Sequence, residues 1–487
     1  MSAVPHGDQQ FGSIAETVRK AAAAPEPRRV TGGFSLTRES STHLTIAALL
    51  GLYLGWAVAR LPEVFPALAV PRLPMLLMLL FLLVLGVSLT FEHWKLVWQN
   101  SRPLNLVAAL VVLSIITAPM GIWVMGSIDA VINRYSIAVV VFLACLVFFR
   151  DRRGLRAGAT LYVMCVVVIA IYTFATYQPD AMLMDADGEL ISMAEAGLTT
   201  RRISVGISLD PNDWGAVLVT TIPIALWLSY GSFSRRMLWG AVALLLAAAI
   251  VPTASRGSLL GLVAVGLTLI MVGATGWRRF LLVAVVLAGG LVFSLIATEG
   301  QLSRFLDFGT DDYNLTNEGR IYFWRQGLVW MIKRPWGYGL NNYPTYFGWL
   351  NGPDRAAHSS WVQYGVELGV LGLVTFIALV VTLWRGNSAN RRTAIALRST
   401  FGRQADAEAV LSGHVMAMLA GTLLTGSFLS NAYYPLMYMA LGIAAAAQLG
   451  FPFRETAAPP GHGLPQQRGP DATRGVVRRR RPSTART

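Results

Sequence analysis

The chain has 487 residues, of which 54% are hydrophobic and only 14% are charged, yet its formal net charge is +14. Soluble domains are about one quarter charged. This composition therefore argues against a soluble protein, and against a conventional nucleic-acid-binding protein with its charged surface. The hydrophobic residues are gathered into blocks, for example at 76–91 and 281–297. Blocks of roughly 20 residues are long enough to cross a bilayer, so the sequence predicts a polytopic membrane protein.

The hydrophobic blocks predict an all-α fold with about twelve transmembrane helices. Pro119, Gly121 and Gly126 predict a turn between the third helix and the fourth. A large helical periplasmic loop is expected between the ninth and tenth helices. The predicted bounds, in chain order, are 43–60, 74–91, 103–122, 133–149, 155–177, 212–230, 237–253, 258–275, 280–298, 364–384, 410–428 and 431–449.

The positive charges predict how these helices are oriented. Cytoplasmic loops are enriched in Lys and Arg, and 28 of the 40 basic residues fall on the inner side if both termini are cytoplasmic. Eleven spans would instead put the termini on opposite sides. Residues 1–42 and 450–487 are expected to be disordered cytoplasmic tails, the second one basic. The first spanning helix is then expected to serve as its own insertion signal.

The predicted transmembrane domain, 43–449, has two long outer loops, at 178–211 and 299–363. The stretch 320–364 contains twelve aromatic residues. A helix near 319–333 lying at the membrane surface explains much of that content, because Trp and Tyr concentrate at headgroup level. Such a helix does not explain the cations on a face that positive charge usually avoids. These cations, which predict an anionic ligand, are Arg320, Arg325, Lys333 and Arg334.

Arg256 lies in a short turn between two apolar helices at the outer surface. An arginine at this boundary is costly unless it snorkels to the surface or binds an anion, and the sequence leaves both readings open. Ser255 or Ser258 is expected to cap the following helix, whose N-terminus would itself favour an anion.

His358 is the only histidine expected on the outer face, and it lies close in sequence to the basic and aromatic stretch. An imidazole can accept a proton from a hydroxyl group near neutral pH, which is the task of a general base. A structural role for a lone loop histidine is the alternative.

Together these residues resemble the O-antigen ligase and polymerase superfamily of bacterial inner-membrane enzymes. The resemblance covers the twelve-span plan, the late outer loop and a series of local signatures. Ten residues separate His358 from Gly369, which is similar to the histidine-to-glycine spacing of O-antigen ligases. The signatures, in chain order, are Pro211-Asn212, Ser255-Arg256-Gly257, Gly319-Arg320 with Trp324, Arg334-Pro335-Trp336-Gly337-Tyr338-Gly339, and His358-Ser359 with Glu367-Leu368-Gly369.

The resemblance implies a glycosyltransferase with its active site on the periplasmic side. It would move a glycan from an undecaprenyl diphosphate carrier to a hydroxyl of a glycan, lipid or protein acceptor, with inversion and without a metal or other cofactor. Arg256 and Arg320 would hold the diphosphate, whose growing charge fixed cations stabilise, and His358 would activate the hydroxyl. The expected substrate-binding residues are Arg325, Asn212, Trp324, Trp336, Tyr338 and Glu367.

Several of these residues have alternative roles. Asn212 is an equally good candidate for a helix N-cap, and Glu367 would either orient His358 or act as a structural carboxylate. The aromatic residues would either stack on sugars or anchor the loop. A divalent metal site remains a further alternative, because carboxylates lie close together in the sequence, at Asp307, Asp311, Asp312 and Glu318.

Two other functions compete with ligation. A polymerase of lipid-linked polysaccharide repeat units would share the donor site and differ only in the acceptor. A polysaccharide or lipid transporter would also suit twelve spans, but transporters tend to have repeated halves and ionisable residues near the bilayer midplane. Neither feature is evident here. Membrane lipids are the expected surroundings, and no nucleic-acid partner is expected.

Overall fold

The computed structural model describes eleven parts of the chain and is predominantly helical. Two short strands, β1 (Met182–Met184) and β2 (Leu190–Ser192), pair antiparallel with Met182 opposite Ser192. The described residues up to Phe451 belong to one compact unit. The described residues are 41–59, 61–65, 68, 73–88, 101–175, 182–184, 190–192, 211–253, 255–273, 320–352 and 354–453.

The α-helices of the described residues form a bundle and an outer group. A π-helical segment, Ala130–Tyr135, joins α5 to α6, so that one helical rod runs through both. A second π-helical segment, Leu269–Gly273, extends α10. The helices are α1 Ser41–Ala57, α2 Leu61–Val64, α3 Leu73–Ser88, α4 Arg102–Thr117, α5 Val124–Asp129, α6 Ser136–Phe148, α7 Arg152–Ala175, α8 Pro211–Leu228, α9 Phe233–Ala248, α10 Arg256–Thr268, α11 Arg320–Lys333, α12 Tyr343–Asn351, α13 Ser360–Glu367, α14 Gly369–Ala396, α15 Arg398–Gly426 and α16 Pro435–Leu449.

The helical membrane architecture predicted from the sequence is confirmed. Six helical segments in the described residues are long and apolar enough to cross a membrane. The twelve-span count stays a prediction, and the predicted ninth span, 280–298, lies outside the described residues. The six segments are Arg102–Met120, Val124–Phe148, Arg152–Ala175, Phe233–Thr253, Gly369–Ala396 and Arg398–Gly426.

Several helix bounds differ from the predicted ones. The fourth span begins at Val124 rather than at 133, because the π-helical segment continues the helix. The predicted tenth span is divided at Gly369, whose φ of +74° breaks the helix between α13 and α14. The loop between α15 and α16 covers residues 427–434, whereas the hydrophobic pattern predicts only two residues between those spans.

The two ends of the helix bundle carry different polar contacts. At one end, Arg152 donates to both carboxylate oxygens of Glu408, at 2.9 and 2.8 Å, and to the Ala447 carbonyl at 3.0 Å. At the other end, the starts of α8, α10 and α13 meet loop 427–434. Because successive helices run in opposite directions, loops far apart in sequence gather at this second end.

Helices α11, α12 and α13 form an outer group with its own aromatic core. Helix α11 matches the surface helix predicted at 319–333. Its exposed face carries Ile321, Leu328 and Ile332, while the Tyr343 hydroxyl of α12 donates to the Phe323 carbonyl at 2.8 Å. The buried core residues are Phe323, Trp330, Met331, Tyr338, Tyr343, Phe347, Ala357, Val362 and Val366.

A backbone clasp, formed by residues 335–339 and 366–370, attaches this outer group to the bundle. Three hydrogen bonds of 2.8 to 3.0 Å join the two segments. A Cβ atom at Gly369 would lie 2.3 Å from the Pro335 carbonyl oxygen, and Gly337 has a φ of +99°. The signatures at 334–339 and 358–369 therefore have a structural reason, because Gly337 and Gly369 permit a close approach of the two backbones that other residues would prevent.

Candidate functional site

Loop 427–434 is the element against which α13 and the starts of α8, α10 and α11 pack. One face of α13 presents Ser360, Gln363 and Tyr364, which share a side of the helix because they are three and four residues apart. Their hydrogen bonds fix the loop backbone. The bonds run from Ser360 Oγ to Leu429 O (2.9 Å), from Asn431 N to Ser360 Oγ (3.1 Å), from Ala432 N to Gln363 Oε1 (3.4 Å) and from Tyr364 OH to Ala432 O.

His358 is held at the start of α13, directly against this loop. Its backbone N–H donates to Ser430 Oγ at 2.9 Å, and its φ of +48° is uncommon for a residue other than glycine. The half-buried imidazole lies 5.9 Å from the Phe323 ring of α11, measured between centroids. Ser359 caps α13 by accepting from the Val362 N–H at 3.5 Å. The histidine therefore occupies a position fixed by both the loop and α11.

Arg320 and Trp324 approach the same loop from the first turn of α11. They lie four residues apart and so share one face of that helix. The Arg320 Cζ atom lies 6.0 Å from the centroid of the Phe428 ring, and the Trp324 and Phe428 ring centroids are also 6.0 Å apart. Phe428 thus provides a cation–π contact for the arginine.

Helix α10, whose first residue is Arg256, meets the loop at Gly257. Ser255 is the N-cap, accepting from the Ser258 N–H at 3.3 Å, which confirms one of the two caps predicted from the sequence. A Cβ atom on Gly257 would lie only 3.2 Å from Phe428 Cβ. The helix starts that carry Arg256 and Arg320 therefore flank one phenylalanine.

Helix α8 completes the junction. The Asn431 amide of the loop donates to Asp213 Oδ1 at 3.2 Å. A Cβ atom on Gly215 would lie 2.1 Å from Ser258 Oγ, so the starts of α8 and α10 are in close contact. Asn212 is the second residue of α8, which begins at Pro211. It therefore lies inside the first helical turn and is not the N-cap.

Four helix N-termini, those of α8, α10, α11 and α13, thus surround loop 427–434. Each N-terminus carries unpaired N–H groups and a partial positive charge, which favours an anion. Two of these helices begin with an arginine, and the loop also holds the backbone of His358. The arrangement is suited to holding a phosphorylated group close to an imidazole.

Three of the predicted substrate-binding residues lie elsewhere. Arg325 is on the exposed face of α11, and Trp336 is 57% exposed in the clasp. Tyr338 is packed in the aromatic core, 4.5 Å from the Tyr346 ring, and burial raises its pKa to about 12. Among the contacts of the described residues, none joins these three side chains to loop 427–434.

Glu367 is fully buried at the far end of α13. Its Oε1 accepts from the Tyr343 N–H at 3.2 Å, and the Tyr433 and Gln363 side chains flank the carboxyl group. Desolvation raises its pKa to about 7, against the opposing effect of these hydrogen bonds. It lies about 10 Å along the axis of α13 from Ser360, and His358 lies two residues before that helix begins. The geometry therefore supports the structural role and not a direct orienting contact with the histidine.

The four acidic residues of the possible metal site, within 307–318, lie outside the described residues. In the described part of the chain, no group of three His, Cys, Asp or Glu side chains is placed to hold a metal ion. The hydrophobic pattern does not reveal loop 427–434, which carries no charge and falls largely within two predicted spans. The sequence feature that indicates this loop is a cluster of polar residues between two apolar helices, namely Ser427, Ser430 and Asn431.

Comparison with known proteins finds a similarity to one family. The O-antigen ligase family model matches residues 241–377, a range that includes Arg256, Arg320 and His358. No curated protein matches the chain. The match supports a place for this part of the chain in the O-antigen ligase and polymerase superfamily, and the six apolar helical segments of the described residues fit a multi-pass membrane protein.

Proposed function

We propose that the chain is an inner-membrane glycosyltransferase that moves a glycan from undecaprenyl diphosphate to an acceptor hydroxyl on the periplasmic side. The observation that carries this proposal is the approach of two arginine-bearing helix starts to Phe428. Ser430, two residues along the same loop, holds the backbone of His358. The family match supports the reaction class.

In the proposed reaction, the bond between the anomeric carbon and the diphosphate oxygen breaks, and negative charge grows on the leaving diphosphate. Arg256 and Arg320 compensate this charge, since guanidinium groups bind phosphate oxygens in pairs. The surrounding helix N-termini add fixed partial charges. Groups that are positioned before the reaction stabilise its transition state without reorganising.

His358 accepts the proton of the acceptor hydroxyl while the hydroxyl oxygen attacks the anomeric carbon. Attack on the face opposite the diphosphate inverts the anomeric centre, and no covalent intermediate with the enzyme is formed. Trp324 lies beside the donor-binding arginines in this scheme, so it is the predicted aromatic residue best placed to contact the glycan or carrier.

A ligase that uses a lipid or protein acceptor is the first reading, and a polymerase that extends lipid-linked repeat units is the second. Both would use the same donor site. The ten-residue interval between His358 and Gly369 favours the ligase. Offering purified protein the lipid-linked donor with each acceptor class, and finding by mass spectrometry which acceptor gains a glycan, separates the two.

The site assignment is tested by His358→Ala and Arg320→Ala in a transfer assay with purified protein. We expect each substitution to lower the rate by at least about a thousandfold, because the general base or a charge-stabilising group is lost. Lys333→Ala is the matched control. Lys333 is exposed on the same helix, about 20 Å along its axis from Arg320. Full activity in either site variant would remove that residue from the mechanism.

Arg256→Lys tests whether Arg256 binds phosphate with two N–H groups. Lysine keeps the positive charge but lacks the planar fork of donors. We expect the KM for the donor to rise about tenfold or more, while protein abundance stays normal. Wild-type kinetics in this variant would favour simple snorkelling of Arg256 to the membrane surface.

A further inference from the structure

Phe428 is the residue through which the two arginine-bearing helix starts contact one another. Arg320 and Trp324 of α11 lie against its ring at 6.0 Å. Gly257 of α10 also packs closely on this residue, since a Cβ there would lie 3.2 Å from Phe428 Cβ and would require a shift of a few tenths of an ångström. The half-buried Phe428 therefore contacts two helix starts whose arginines are 64 residues apart in sequence.

The position of this ring is fixed by its own loop. Before it, Ser427 Oγ accepts from the Trp361 indole N–H at 2.9 Å and donates to the Leu423 carbonyl at 3.0 Å. After it, the Leu429 carbonyl accepts from Ser360 Oγ at 2.9 Å. Hydrogen bonds on both sides hold the backbone, so the position of Phe428 in the loop is fixed.

The chemistry of phenylalanine suits this position. Its ring attracts a guanidinium group through the negative face of the π system, yet it carries no charge that would neutralise the arginine. A carboxylate in its place would pair with Arg320 and compete with an anionic substrate. An uncharged aromatic residue therefore contacts Arg320 without adding a competing negative charge.

We propose that Phe428 is a positioning residue that sets the spacing of Arg256 and Arg320 to fit the two linked phosphates of the donor. This inference rests on the proposed function, in which both arginines bind the diphosphate. It adds that the site recognises a diphosphate through a spacing imposed by Phe428, and so discriminates against a single phosphate.

The test compares wild-type protein with Phe428→Leu in the purified transfer assay, with inorganic pyrophosphate and inorganic phosphate as competing inhibitors. Wild-type protein is expected to be inhibited more strongly by pyrophosphate. In Phe428→Leu we expect the KM for the donor to rise about tenfold and the preference for pyrophosphate to shrink, while kcat changes less. A loss of packing alone would weaken both inhibitors equally.

Three further variants make the test independent of a folding defect. Phe428→Tyr keeps the ring and should restore a donor KM within about threefold of wild type. Gly257→Ala leaves the ring intact but pushes against it, and should raise the donor KM. Phe233→Leu alters an exposed aromatic residue at the start of α9, away from this loop, and should leave the kinetics unchanged.

Unchanged donor KM and unchanged pyrophosphate preference in both Phe428→Leu and Gly257→Ala would overturn the spacing role. If Arg320→Ala is inactive in the same assay, that result refutes only the role of Phe428. If Arg320→Ala is fully active, the assignment of Arg320 in the proposed function fails first. The two failures are therefore distinguishable.

Discussion

Glu367 joins α12, α13 and loop 427–434 through one buried carboxyl group. It accepts from the Tyr343 N–H, and Tyr433 and Gln363 lie beside it. Tyr343 in turn donates to the Phe323 carbonyl, in the helix turn that carries Arg320. Glu367 thus links three elements that lie next to the candidate site. Because its pKa is raised to about 7, these contacts depend on pH.

Glu367 is expected to make the protein less stable as pH rises from 4.5 to about 7. Below pH 4.5 the folded and unfolded states both hold the proton. Within the window the unfolded state loses it first, so the free energy of unfolding falls, and above about 7 both states are ionised and the effect is constant. The full effect is on the order of 3 kcal/mol.

Glu367→Gln removes this ionisation. In thermal unfolding experiments in detergent, the Tm of the variant should be higher than that of wild type at pH 8 but not at pH 4. Asp129→Asn is the control, because Asp129 is exposed and contacts only Asn133 among the bonded side chains of the described residues. An identical pH profile in wild type and Glu367→Gln would refute a buried, proton-binding carboxyl group.

Among the elements, the backbone clasp fixes the outer group on the bundle through two glycines. Gly369→Ala introduces a Cβ 2.3 Å from the Pro335 carbonyl oxygen, at a φ of +74°. We expect a destabilisation of more than about 2 kcal/mol and a loss of transfer, measured by thermal unfolding and by assay. Gly352→Ala separates backbone strain at a positive φ from the steric clash of the added Cβ, since Gly352 has a φ of +115° but open space around it. A Gly369→Ala protein as stable as Gly352→Ala would show that the close approach is unimportant.

Local sequence patterns correctly predicted the features that are determined by residues close together in the chain. The cap at Ser255 and the bounds of α11 follow from side chains within one helical turn of each other. The break at Gly369 was not predicted, because it depends on the Pro335 carbonyl more than thirty residues away. Loop 427–434 was missed for the same reason. Its partners on α8, α10, α11 and α13 are brought to it only by the fold.

For the whole molecule, the predominantly helical, apolar architecture was predictable, but the meeting of four helix starts at loop 427–434 was not. Cys145 and Cys165 both lie in predicted spans within α6 and α7, so single added cysteines can report the orientation. Trp349→Cys, in the outer group, should react with a membrane-impermeant thiol reagent in intact cells. Gly402→Cys, near the start of α15, should react only after permeabilisation. The reverse pattern would contradict the predicted topology.

The most direct test of the central claim is a transfer assay with purified protein, undecaprenyl-diphosphate-linked glycan and an acceptor. Product would be measured for wild type, Arg320→Ala, His358→Ala and Lys333→Ala at equal protein concentration. We expect transfer by wild type and Lys333→Ala and none above background by the other two. Undiminished transfer by both Arg320→Ala and His358→Ala would contradict a catalytic site at loop 427–434.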